Sequence, residues 1–71
     1  MKPTIEYSPE DNAAYLRLSQ EKILESEEVA PGIVFDYDSE GRIVGIEWLH
    51  ARAQLSPELL GAAQVLKASS A

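Results

Sequence analysis

The chain has 71 residues, a net charge of −6 and no cysteine. A chain of this length forms a single domain, and the lack of cysteine excludes disulfides and thiolate zinc sites as its stabilising device. The acidic charge disfavours direct binding to nucleic acid, because phosphate backbones repel it. Its simplest interpretation is that it keeps the protein in solution, with attraction of a basic protein partner as the alternative.

Two short alternating segments begin the chain. Residues 4–7 and 13–19 place apolar side chains at every second position, which is the period of a half-buried strand. The polar residues between them indicate a turn. The sequence therefore predicts two antiparallel strands at about 3–7 and 13–19. Residues 23–30 are less regular and predict a weak strand at most, and the run ESEE at 25–28 is typical of a solvated edge, with docking of a partner as the alternative.

The segment DYDSEGRIVGIE at 36–47 comes close to the calcium-binding loop of an EF-hand. That loop needs a helix on each side. Here both flanks alternate at strand period, and Gly41 after a short polar turn is typical of a hairpin. The sequence predicts a β-hairpin with strands at 32–38 and 42–49. Weak divalent-ion binding by its carboxylates stays open as an alternative.

Few side chains are candidates for chemistry. His50 is the single histidine and is interpreted as a surface or edge residue, while Trp48 shares the apolar face of its strand and is predicted to lie in the core. No phosphate-binding loop is present. The sequence predicts no enzyme, and no catalytic, cofactor-binding or metal site. The alternative is an enzyme or metal-dependent protein that uses Asp36, Asp38, Glu40, Glu47 and His50.

A helix is predicted near the C-terminus. Ser56, Pro57 and Glu58 combine a capping hydroxyl, a proline at the first helical position and an acidic residue near the positive end of the dipole. The helix is expected over 56–67, followed by a frayed tail at 68–71. The fold class is α+β: a small antiparallel meander of about four strands over 3–49, with this one helix packed on a face. The predicted core consists of Ile5, Tyr7, Leu16, Leu18, Ile33, Phe35, Tyr37, Val44, Ile46, Trp48, Leu59, Leu60, Ala63 and Leu66.

Two motifs carry a family resemblance. They are Y-x-P-E-x-x-A-x-Y-L-R-L, within residues 7–18, and V-x-P-G-I-x-x-D-Y-D-x-x-G-x-I-V-G-I-E, within residues 29–47. On these motifs the chain resembles a small bacterial family known as domain of unknown function 2283, although residues 48–51, WLHA, depart from the family pattern. The resemblance implies no biochemical activity. It implies that some relatives, encoded beside small ribonuclease-like toxins, act as their antitoxins.

The functional expectation is a cytoplasmic, acidic protein-interaction domain. A core of this size rarely supplies more than about 3–5 kcal/mol of stability, so we expect a homodimer. The alternative is an antitoxin-like binder that neutralises a small basic toxin. No cofactor and no membrane association are expected.

Overall fold

The computed structural model describes residues 2–65, which form one mixed six-stranded sheet and two short helices. The strands are β1 (Thr4–Ser8), β2 (Ala13–Arg17), β3 (Glu25–Ala30), β4 (Ile33–Tyr37), β5 (Ile43–Leu49) and β6 (Gln64–Val65), and the helices are α1 (Ala51–Gln54) and α2 (Pro57–Ala62). The α+β class is therefore confirmed. Within residues 2–65, neither helix has the length and apolar character needed to cross a membrane.

The sheet has the strand order β3-β4-β5-β2-β1-β6. Its neighbours pair antiparallel, except that β6 lies parallel to β1. The prediction of four antiparallel strands is right in outline but incomplete. The weak strand pattern at 23–30 contains a full edge strand, β3, and β6 was not predicted.

The predicted hairpin of β4 and β5 is confirmed. Phe35 pairs with Ile46 across it, and Gly41 closes the turn in the left-handed region, at φ 77°. The predicted strand at 32–38 is slightly shorter in the structure. The strand β4 ends at Tyr37, after a register shift beside Asp36, and Asp38 belongs to the turn.

The C-terminal helix begins as predicted but is shorter. The Ser56 hydroxyl accepts a hydrogen bond from the Glu58 backbone N–H, and Pro57 is the first helical residue. The helix ends at Ala62, since Ala63 is extended and the next two residues pair with the edge of β1. Backbone pairing at this edge replaces the last helical turns that the sequence favoured. The remaining predicted helix and the predicted frayed tail, residues 66–71, lie outside the described part of the chain.

The core lies between the β1–β2–β5 part of the sheet and the two helices. Its buried members are Tyr7, Ala14, Ala51, Leu60 and Ala63, with Ile5, Trp48 and Leu55 packed against them. The prediction overlooked the two small residues Ala14 and Ala51, which allow the helices to approach the sheet closely.

One predicted core residue is wrong. Leu59 is 39% exposed, whereas its neighbour Leu60 is 8% exposed. Consecutive helical residues point about 100° apart, and α2 turns Leu60 toward the core and Leu59 toward solvent. Of the other predicted core residues, Leu66 lies outside the described residues.

Candidate interaction surfaces

The sheet face opposite the helices carries a polar network that spans four strands. The Tyr15 hydroxyl of β2 donates a 2.8 Å hydrogen bond to Oδ2 of Asp36 on β4, and the Ser26 hydroxyl of β3 donates a 2.6 Å hydrogen bond to Oδ1. Asp36 is only 8% exposed, yet both of its oxygens have a partner. Because a buried carboxylate is costly unless it is hydrogen-bonded, Tyr15 and Ser26 are what allow Asp36 to lie here.

A glycine makes this network possible. Gly45 lies on β5, between β2 and β4, directly across from Asp36. A Cβ atom at this position would overlap the hydroxyl and ring of Tyr15. The phenol of Tyr15 therefore crosses β5 over Gly45 to reach Asp36. Glycine inside a strand often marks such a close approach, and this was the signal in the sequence that could have revealed the network.

The electrostatics of the network hold Tyr15 in its neutral form. Burial, the hydrogen bond to the Asp36 carboxylate and the negative charge of that carboxylate together raise the pKa of Tyr15 to about 12, and burial is the largest of these causes. The Arg17 guanidinium, 5.1 Å from the ring centroid, acts in the opposite direction. A phenol that ionises so late is a hydrogen-bond donor at neutral pH and is unsuited to act as a base. The network is best understood as a structural one, because its hydrogen bonds connect strands β2, β3 and β4.

The other hairpin carboxylates lie in the turn and on β5. The Asp38 carboxylate oxygen Oδ1 accepts the backbone N–H groups of Glu40 and Arg42 at 2.8 and 2.9 Å, and chiefly the Arg42 bond holds the pKa of Asp38 below its usual value. The Glu40 side chain is exposed in the turn, whereas Glu47 is half-buried on β5. Within residues 2–65, no group of three or more acidic, histidine or cysteine side chains is placed to hold a metal ion.

His50 lies between β5 and α1. Its backbone is left-handed, at φ 55°, and its side chain is exposed. The neighbouring turn is held by Asn12, whose carbonyl accepts the Ala51 N–H and whose side chain accepts the Arg52 N–H. His50 is therefore an exposed residue of the turn between β5 and α1.

An apolar row crosses the helix-bearing face of the sheet beside the core. Ile5, Leu16, Ile46 and Phe35 are successive cross-strand partners, and the row ends at Glu27 on β3. Its last three apolar members, Leu16, Ile46 and Phe35, are half-buried and lie outside the helix-covered cluster. We call these three residues the open row. Among residues 2–65, no large side chain is less than 2% exposed.

The edge strand β3 forms a second candidate surface. Every residue from Glu25 to Val29 is exposed. Large apolar side chains flank its acidic stretch, with Leu24 60% exposed on one side and Val29 43% exposed on the other. The sequence predicted an acidic edge, but it did not predict that a strand of this length would end the sheet.

A groove of about 570 Å³ lies between the segment that follows β2 and the hairpin turn. It is lined by charges of both signs, including Glu21, Lys22, Asp38 and Arg42. The Asp38 carboxylate oxygen Oδ1 already accepts two backbone hydrogen bonds within the turn, so that oxygen is not available to a ligand in the groove. It therefore indicates no ligand class.

A family model described as "Protein of unknown function (DUF2283)" matches residues 4–52 of this chain. The match covers β1 to β5 and begins α1, so it includes the polar network and the open row. No curated protein and no solved structure matches the chain.

Proposed function

The chain belongs to the DUF2283 family, and we propose that it is a protein-interaction domain that pairs with a second copy of itself through the open row. The observation that supports this is the half-burial of Leu16, Ile46 and Phe35 at the centre of a sheet face. Sheet centres normally carry the best-buried side chains of a small domain, because the hydrophobic effect drives apolar area out of water.

A second copy suits this surface for two reasons. A 71-residue chain has a small core, and self-association is a common means of enlarging it. A two-fold axis would also lay the open row of one subunit against the same row of the other, so that a single apolar surface serves both sides of the interface. The proposal involves no catalytic step.

Light scattering over a dilution series tests this proposal. The wild-type chain is expected to show twice the monomer mass at high concentration. Phe35→Lys places a charge in the open row and is expected to give a monomer at every concentration. Val34→Lys is the matched control, because Val34 is the neighbouring half-buried residue on the opposite face, paired with Glu47 and Glu28.

Two results would contradict the proposal, provided that circular dichroism shows both variants to be folded. The first is a monomeric wild-type chain at the highest concentration. The second is an equal fall in solution mass for Phe35→Lys and Val34→Lys. Such a result would mean that an added charge disrupts the dimer equally from either face of the sheet.

A second candidate is the antitoxin-like function implied by the family resemblance. The net charge of −6 and the exposed glutamates of β3 favour it, because a basic toxin would be attracted to such a surface. Co-expression with basic proteins encoded beside this chain is the test. Co-purification of such a pair would support it, and failure of every such pair to bind would exclude it.

A further inference from the structure

Strand β3 is an edge of the sheet, and within residues 2–65 it pairs with β4 alone. The sheet begins at β3 and ends at β6, which is a two-residue strand. β3 has six residues, and only the last, Ala30, is not exposed. An edge strand turns the N–H and C=O groups of alternate residues away from the sheet, where another strand can bind them. β3 therefore offers the longer backbone edge of the described sheet.

The shape of β3 limits where such a strand can pair. Its register with β4 is regular from Glu25, opposite Tyr37, to Glu28, opposite Val34, and shifts between Glu28 and Ala30. The network of Asp36 also holds Ser26, at the centre of the regular part. The regularly paired and anchored stretch is therefore 25–28, and an added strand would pair in register there.

The charge of this stretch distinguishes between possible partners. Glu27 accepts a hydrogen bond from the Tyr37 hydroxyl, and Glu28 accepts one from the Gly32 backbone N–H. Both donors are neutral, so these bonds leave the negative charges in place. An antiparallel pairing of β3 with β3 of a second copy would bring these glutamates beside one another, and like charges on facing strands are destabilising. A strand that carries lysine or arginine would instead be attracted to these glutamates.

We propose that the β3 edge binds an extended basic segment of another protein as an additional strand of the sheet. Lysine or arginine at alternate positions would lie beside Glu25 and Glu27, which share one face of β3. Leu24 and Val29, exposed on either side of the acidic stretch, would contact apolar side chains of the segment. Backbone hydrogen bonds would supply affinity and the charge pattern would supply selectivity. This inference does not depend on the pairing of two copies through the open row.

The probe is the capped peptide VTKVKTV, titrated into the ¹⁵N-labelled full chain while backbone amide shifts are recorded. We expect shift changes concentrated in residues 24–29. The peptide VTEVETV, which has the same apolar pattern and the opposite charge, is expected to bind about tenfold more weakly, because two cross-strand pairs change from attraction to repulsion. The double variant Glu25→Lys/Glu27→Lys is expected to reverse this preference.

Two N-methylated analogues of VTKVKTV separate strand addition from simple charge attraction. One is methylated on two alternate amides and the other on the two intervening amides. Because only one set of amides in an added strand faces the sheet, one analogue is expected to lose binding and the other to retain it. Equal binding by both analogues would overturn the proposal, as would equal binding of the two charge forms.

Three further results would also overturn the strand-addition proposal. The first two are no shift changes at millimolar peptide and shift changes confined to residues outside the β3 region. The third is a change of the β3 shifts with protein concentration in the absence of peptide, because it would mean that a second copy binds this edge. A Leu16→Lys variant separates the two proposals, because it places a charge in the open row on β2, three strands away from β3. It leaves the neighbours of the β3 glutamates unchanged, so it is expected to bind VTKVKTV as the wild-type chain does.

Discussion

Replacing Gly45 with alanine tests the polar network at its most constrained point. A Cβ atom at residue 45 would overlap the hydroxyl of Tyr15, which is the far end of a side chain that can rotate away. The backbone can therefore stay in place while the phenol moves. The movement would break the 2.8 Å hydrogen bond to Asp36 and leave that carboxylate with Ser26 alone.

The magnitude follows from two opposing terms. A hydrogen bond to a charged group contributes about 1.5–3 kcal/mol. Alanine regains about 0.5–1 kcal/mol over glycine, because it loses less backbone entropy on folding. We therefore expect Gly45→Ala to destabilise the fold by about 1–2 kcal/mol. With a urea slope of about 1 kcal/mol per molar for a small domain, the unfolding midpoint would fall by about 1–2 M.

Urea unfolding at fixed protein concentration is the assay, and Gly61→Ala is the matched control. A Cβ atom at Gly61 meets nothing within 4 Å, and the residue lies inside α2. This substitution is expected to stabilise the fold by up to about 1 kcal/mol, the opposite sign. In a Tyr15→Phe background the cost of Gly45→Ala is expected to shrink, because the hydrogen bond is already absent. An unchanged or raised midpoint for Gly45→Ala would refute the role assigned to the glycine.

Four other outcomes are expected. Ultraviolet titration is expected to show Tyr15 ionising near pH 12; because the folded-state pKa lies above the unfolded value of about 10, the associated stability is present below pH 10 and declines as the pH rises toward 12. Asp36→Asn should lower the pKa of Tyr15 but leave it above its usual value, since burial is the largest cause, and full return of the pKa would contradict this. The pKa of Asp38 is held low chiefly by the Arg42 backbone N–H, and NMR titration of the carboxyl checks this shift. The ionised carboxylate therefore stabilises the fold above its unfolded pKa, and this stability is lost as the pH falls through its folded pKa. In Asp38→Asn, this part of the acid-dependent loss of stability is expected to be absent. Gly41→Ala is expected to destabilise the hairpin by about 1 kcal/mol in urea, because the left-handed backbone at φ 77° disfavours a Cβ, and a neutral result would mean that the turn can rearrange.

Much of the local structure was readable from the sequence. The hairpin of β4 and β5, its glycine turn and the start of α2 all depend on residues within a few positions of one another. Alternation, turn chemistry and helix capping are interactions of this local kind. The family resemblance was readable for the same reason, since its two motifs are continuous stretches.

The candidate surfaces were less predictable. Tyr15 and Asp36 are 21 positions apart, and they meet only because β5 lies between their strands and carries Gly45 at the crossing point. No periodicity in either segment indicates this contact. The acidic charge of 25–28 was visible, but its position on the outer edge of a six-stranded sheet depended on the pairing of all the other strands.

The sequence by itself determined which segments are extended, where the turns fall and that the surface is acidic. Only the tertiary structure decided the strand order, the replacement of the last helical turns by β6, and the half-burial of the open row. The physical reason is the range of the interactions. Propensity and capping act within a few residues, whereas strand order and burial reflect competition among distant segments for the same sheet edges and the same apolar face.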